Sequence, residues 1–223
     1  MFNVTRPEEI PQDLGNGKQY NKPEVVKALK KMFFGKCYLC ERGNVEDPEI
    51  EHFLAQANGG GRVLWENLFY SCSRCNSIKS NKYNDLLDCT DDNIDVSAAI
   101  KLVMTVTPND DVIVEAAIAN PNAQVINTVK LLNECYNNQN TGLRGVSRES
   151  LIEQIYEYLI VFIQTRGLLK NPSTSEEREK EALGVLEKMM RPKHPFSAFW
   201  RWQYLGDSFL VDEYPELLNL LTD

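Results

Sequence analysis

The chain has 223 residues, 43% of them hydrophobic and 25% charged, which is the composition of a globular protein and excludes a disordered or collagen-like one. The net charge of −8 argues against a simple basic nucleic-acid binder. The acid is uneven, however: residues 1–90 hold 12 Lys+Arg and 12 Asp+Glu, so the whole excess lies in residues 91–223.

Residues 1–22 are polar and turn-rich, with Pro7, Pro11, Gly15 and Gly17, and read as an arm with little regular structure. Met1–Ile10 lacks the apolar core of a signal peptide, and the longest uncharged apolar run, Leu159–Ile163, is far too short to span a bilayer. A cytoplasmic protein without a membrane segment is expected. Pro23 opens a helix with Val26, Leu29 and Phe33 on one side and Lys27, Lys30 and Lys31 elsewhere, stopped by Gly35. Two cysteine pairs follow, Cys37-x-x-Cys40 and Cys72-x-x-Cys75, with 31 residues between them. A two-residue spacer lets both thiolates of a knuckle face one tetrahedral ion. Two knuckles fill four positions and leave none open, which describes structural zinc rather than catalytic zinc. Cys89 and Cys135 have no such partners and read as ordinary buried thiols.

Between the pairs, Ile50–Leu54 reads as a short strand, Asn58-Gly59-Gly60-Gly61 as a turn, and Val63–Tyr70 as the approach to a second strand. Ser73 to about Tyr83 is polar and helix-compatible. Beyond Asp85 the pattern changes. Residues 98–107 and 111–117 read as extended or mixed, and Val125–Tyr136 as a helix. Ser147 caps a longer helix stopped at Gly167, and another helix covers 176–190 up to Pro192–Pro195. The aromatic stretch Phe196–Tyr204 needs burial. The expected fold class is α+β, mostly helical. Its expected divisions are an arm and helix at 1–34, a core at 35–85 and a mainly helical, partner-docking region at 86–223.

The two histidines are His52 and His194, and His194 matches no motif. His52 follows Glu51. Asn67 comes fifteen residues later, and Asn76, directly after Cys75, nine residues after that. Over Cys37–Tyr83 these residues, with the four cysteines, the glycine-rich loop and the Cys75-Asn76-x-x-Lys79 ending, resemble the HNH endonucleases with their ββα-metal motif. The stretches Gly35–Glu41, Glu51-His52-Phe53 and Pro195–Phe199 further resemble the PtuB-like HNH subunit of Septu-type antiphage defence.

That resemblance implies a zinc-knuckle ββα-metal core and hydrolysis of nucleic-acid phosphodiester bonds, with DNA favoured over RNA. It implies a partner, an ABC-type ATPase subunit (PtuA-like), in some systems attached to a retron. This chain has no Walker A motif of its own. Carried over by residue, Glu51 and Asn76 would hold a catalytic Mg²⁺ or Mn²⁺, His52 would take the proton from water, and Asn67 would pin the loop that aims His52. Arg74, Lys79 and Lys82 would grip phosphate, since residues 71–84 carry these three cations and no acid, with Lys27, Lys30 and Lys31 as a second basic stretch. Glu51 stands where the common motif has Asp, and the PtuB-like proteins that the chain resembles share this Glu. A non-catalytic zinc-ribbon module that binds nucleic acid or protein is the alternative.

Overall fold

A computed structural model of the chain describes residues 1–15, 19–105, 107–139 and 145–221. Gly17 and Val106, which fall within sequence expectations above, lie outside them. The fold is α+β, about half helical, with two small antiparallel sheets.

A single short turn of helix, α1 (Gln12–Gly15), precedes α2 (Pro23–Met32), which has Pro23 at its first position. Its buried residues are Val25, Leu29 and Met32, a spacing of four and three that faces one side. Val25 therefore takes the inward position that the sequence reading gave to Val26. Phe34 and Gly35 both adopt left-handed backbone, and the chain turns there into the first cysteine pair.

Strand β1 (Pro48–His52) pairs antiparallel with β2 (Leu68–Cys72), with Glu49 opposite Ser71, Glu51 opposite Phe69 and His52 opposite Leu68. The first strand lies two residues earlier than the expected Ile50–Leu54, and the second begins at Leu68. Leu54 gives its backbone N–H to the Asn67 side chain, which ends pairing at one end, and residues 65–67 form a 3₁₀ turn at the other. Helix α3 (Ser73–Lys79) follows β2 directly and packs on both strands. It stops at Lys79, short of Tyr83, because Ser80 has φ +44° and cannot continue a right-handed helix.

A short α4 (Val96–Ala99), capped by Asp95, runs straight into β3 (Ile100–Val103), which pairs with β4 (Ile113–Ala116). Helices α5 (Ala123–Asn137), α6 (Arg148–Lys170) and α7 (Glu176–Met190) complete the larger layer. Ser147 caps α6 by accepting from the Ser150 N–H at 3.2 Å. The helix passes Gly167, where a stop was expected. One glycine costs a helix only ~1 kcal/mol, and Leu169 extends the buried face beyond it. The stop falls at Asn171, extended because Pro172 follows. No helix of the described residues is long and apolar enough to cross a membrane.

Helix α8 (Ser197–Leu205) carries the aromatic stretch, and α9 (Ser208–Glu213) follows it. Phe199, Trp200 and Tyr204 are fully buried, and Phe199 meets Tyr136 of α5 edge-on. The buried residues form one cluster drawing on every part of the chain. It includes Met1, Phe2 and Val4 of the arm, which the polar arm reading did not place inside. Val4 bonds to the Cys89 carbonyl, which ties the arm down.

Candidate functional site

The four paired cysteines come together. Cys37 and Cys40 lie in the turn after α2, Cys72 ends β2 and Cys75 sits in the first turn of α3. All are buried, and their sulfurs lie within 4.8 Å of one another. A tetrahedral zinc with Zn–S bonds of ~2.3 Å sets its sulfurs about 3.8 Å apart. The Cys40–Cys72 separation of 3.9 Å fits that spacing, and the donor set is the soft one that zinc selects. The first knuckle is fastened to the sheet by the Tyr38 N–H, which donates to the Tyr70 carbonyl at 3.0 Å. Hydrogen bonds among the sulfurs split the thiols. Burial opposes ionisation of Cys37, but the bonds from Cys40, Cys72 and Cys75 hold it well below the usual thiol range. Cys75 is pushed well up, first by hydrogen bonding to Cys135. Cys135 is therefore a fifth thiol beside the cluster, which no spacing rule marks.

His52, at the end of β1, is 9% exposed. Its Nε2 lies 3.0 Å from the Arg62 carbonyl oxygen. A carbonyl can only accept, so Nε2 is the nitrogen that carries a proton in this contact. The Gln56 amide nitrogen stands 3.3 Å from both Nδ1 and Nε2, and the Tyr20 ring meets the imidazole edge-on at 4.7 Å. Asn67 braces the loop between. Its Oδ1 accepts from the Leu54 N–H at 2.7 Å, and its Nδ2 donates to the carbonyls of Leu54 (3.0 Å) and Gly61 (3.1 Å). Gly60 fits under that brace only because it lacks a side chain. A Cβ there would lie 1.8 Å from the Leu54 carbonyl oxygen.

The carboxylates of β1 are arranged differently from the sequence expectation. Glu49 and Glu51 share one face of the strand, two residues apart, and α3 covers that face. Asn76 donates its side-chain amide to Glu49, not to Glu51. Glu51 is 5% exposed and bonds to the Lys79 ammonium at 2.6 Å, which also donates to the His52 carbonyl at 2.9 Å. Burial pushes the Glu51 carboxyl up to about 7 even against the pull of Lys79. Glu49 was missed in the sequence. The signal that could have found it was the two-residue alternation of a strand carrying Glu51.

The expected phosphate-gripping residues also separate. Lys79 is fully buried in the pair just described. Arg74 is 1% exposed; its Nε donates to the Cys135 carbonyl (3.1 Å) and its Nη2 to the Asn138 carbonyl (2.6 Å). A cation at the C-terminal end of α5 satisfies carbonyls that the helix leaves open. Arg74 and Lys79 are thus internal fasteners, a correction to the expectation that they grip phosphate. Lys82 is exposed, as are Lys27, Lys30 and Lys31 of α2 and Arg62 beside His52. His194 stacks edge-on against Tyr158, with burial lowering its pKa, away from these residues. Compared with family models, with curated proteins and with solved structures, the chain matches none.

Proposed function

We propose that this chain is a metal-dependent HNH-type endonuclease, hydrolysing nucleic-acid phosphodiester bonds as the effector of an antiphage defence complex with an ABC-type ATPase in the cytoplasm. The observation that carries the reading is the setting of His52: an imidazole at the end of β1, with Nε2 held on the Arg62 carbonyl and the loop that follows braced by Asn67. A proton acceptor held in one tautomer is what removal of a proton from water requires.

The donor sets on the page are of two kinds. The soft four-sulfur set suits zinc and has no open position, so its role is to hold the core together. The oxygen donors of β1 and Asn76 suit Mg²⁺ or Mn²⁺, which when bound would polarise the phosphate and stabilise the leaving oxygen. His52 would take the water proton on Nδ1, the ring nitrogen not held by the Arg62 carbonyl. Lys82 and Arg62, both exposed, are the near cations open to phosphate. Partner docking on residues 86–223 is supported by α6, whose Ile160 and Ile163 are 51% and 57% exposed.

Burial of Arg74 and Lys79 thins the basic strip and favours the second reading, a non-catalytic zinc module. The two separate in a cleavage assay on plasmid DNA, single-stranded DNA and tRNA, in Mg²⁺ and in Mn²⁺, with and without an ATPase partner. Cleavage by the wild-type protein that disappears in His52→Ala supports the nuclease. Intact substrates under every condition leave the binding module.

A further inference from the structure

Resting on the nuclease reading, we propose that Glu49, not Glu51, is the carboxylate that joins Asn76 in holding the hard divalent cation, and that Glu51 is the counter-ion of Lys79.

The two glutamates differ in what already holds them. Glu51 is buried and its Oε1 is 2.6 Å from an ammonium that is itself fully buried. Its negative charge is therefore cancelled at contact distance. Drawing Glu51 away from Lys79 to hold an ion would strand a buried ammonium, which is among the costly changes in a protein interior. Lys79 also donates to the His52 carbonyl, so this ion pair fixes the backbone that carries the proposed base. Glu51 acts through Lys79 as a positioning residue.

Glu49 has the opposite circumstances. It is half-buried, open to solvent on one side, and its partner is the neutral Asn76 amide. The pair keeps a full negative charge. Asn76 now presents its Nδ2 to Glu49. Half a turn about its last side-chain bond presents Oδ1 to the same place, and a carboxylate plus an amide oxygen are hard donors of the kind Mg²⁺ and Mn²⁺ take, with waters completing the shell. Each glutamate meets its own partner: two residues along β1 (Glu49 to Glu51) advance about 6.6 Å and three along α3 (Asn76 to Lys79) about 4.5 Å, and the longer Lys79 side chain reaches Glu51 while Asn76 meets Glu49.

The test uses the full zinc-loaded chain and Mn²⁺ as the probe, with free Mn²⁺ followed by its paramagnetic resonance signal. Glu49→Gln is expected to weaken Mn²⁺ binding about tenfold or more, because charge count tunes such sites. Glu49→Asp restores part of it, and Glu51→Gln stays within about threefold. Zinc content and melting temperature verify that each variant is folded. If Glu51→Gln does not fold, Glu49→Gln decides alone. Wild-type affinity in Glu49→Gln, or a wild-type protein that binds no Mn²⁺, overturns the assignment. A chain that cleaves nucleic acid while Glu49→Gln keeps full Mn²⁺ affinity sinks the assignment and leaves the nuclease. A chain that binds Mn²⁺ through Glu49 and cleaves nothing sinks the nuclease and leaves the assignment.

Discussion

The Glu41 carboxylate accepts a hydrogen bond from the Ser197 hydroxyl at 2.9 Å, joining the residue after the first cysteine pair to the first turn of α8. The same Oε2 takes the Ala198 N–H, and Lys36, the residue before Cys37, reaches the Pro192 and His194 carbonyls and Glu41 itself. The two stretches that carry the resemblance outside the central motif, Gly35–Glu41 and Pro195–Phe199, are thus the two halves of one buried joint.

Glu41 is fully buried. Burial favours its neutral form, but the Met1 amino group and Lys36 outweigh burial and hold the carboxyl down at about 2, against an ordinary 4.5. A carboxylate with a depressed folded pKa adds stability that is complete above the unfolded value. That stability drains away as pH falls from 4.5 through 2. The gap corresponds to about 3 kcal/mol at neutral pH. Glu41→Gln is therefore expected to cost about 3 kcal/mol in urea unfolding at pH 7, with the wild-type advantage shrinking toward pH 2. Ser197→Ala removes one bond to a charged acceptor and is expected to cost about 1–2 kcal/mol. A pH-independent difference between wild type and Glu41→Gln would contradict the depressed value.

Metal analysis of the purified chain is expected to give about one zinc per chain. Cys72→Ser, which removes a sulfur from the centre of the 37–75 fold, is expected to abolish cooperative unfolding and near-ultraviolet dichroism, because zinc binding there is folding free energy. A folded, zinc-free wild-type chain would contradict the fit of the four sulfurs.

Arg74 and Lys82 are expected to part company. Arg74→Ala leaves the Cys135 and Asn138 carbonyls without their donor and is expected to cost about 3 kcal/mol. Arg74→Lys recovers little, since one ammonium cannot copy a planar fork. Lys82→Ala is expected within about 0.5 kcal/mol of wild type. In salt titrations of nucleic-acid binding, Lys82→Ala lowers the slope of log affinity against log salt by about one, and folded Arg74→Ala leaves it unchanged. Equal slopes for wild type and Lys82→Ala would remove Lys82 from the phosphate path.

The brace around His52 makes a sharper case. Asn67→Asp keeps the acceptor for Leu54 but turns a charged oxygen toward two carbonyls that need a donor. A cost of about 3 kcal/mol is expected, more than for Asn67→Ala. Gly60→Ala puts a methyl into the Leu54 carbonyl and forces the loop to shift. Nitrogen NMR of the His52 imidazole is the readout: wild type shows the Nε2–H form, and Gly60→Ala shows a mixture. An unchanged spectrum in Gly60→Ala would show that the loop does not set the tautomer.

What the sequence made legible was local. The Cys-x-x-Cys spacing needs only two adjacent turns, and the Ser147 cap and the Pro23 opening are one-turn effects, so the chain itself announces them. Arg74 looked like a surface cation because its partners, the Cys135 and Asn138 carbonyls, lie 61 and 64 residues away. Charge counting along residues 71–84 cannot see α5. The same holds for Met1 and Phe2, buried by contacts with distant parts of the chain, and for Glu41. Glu49 is the intermediate case. Strand alternation pairs it with Glu51, but only α3 decides that Lys79 takes one carboxylate and Asn76 the other.

The joint between Glu41 and Ser197 also sets an order on synthesis. All four sulfurs exist once Cys75 has been made, so a metal held by them would close a short loop early, at small entropic cost. Ser197 and Ala198 arrive more than a hundred residues later. Until then the Glu41 carboxylate keeps its water, and the face of the nascent core that will receive α8 stays open. The last helices therefore act as a closing piece on a core whose four cysteines are already made. A chain interrupted before Pro192 is left with Lys36 and Glu41 at an uncovered seam, the form in which a quality-control protease would meet it.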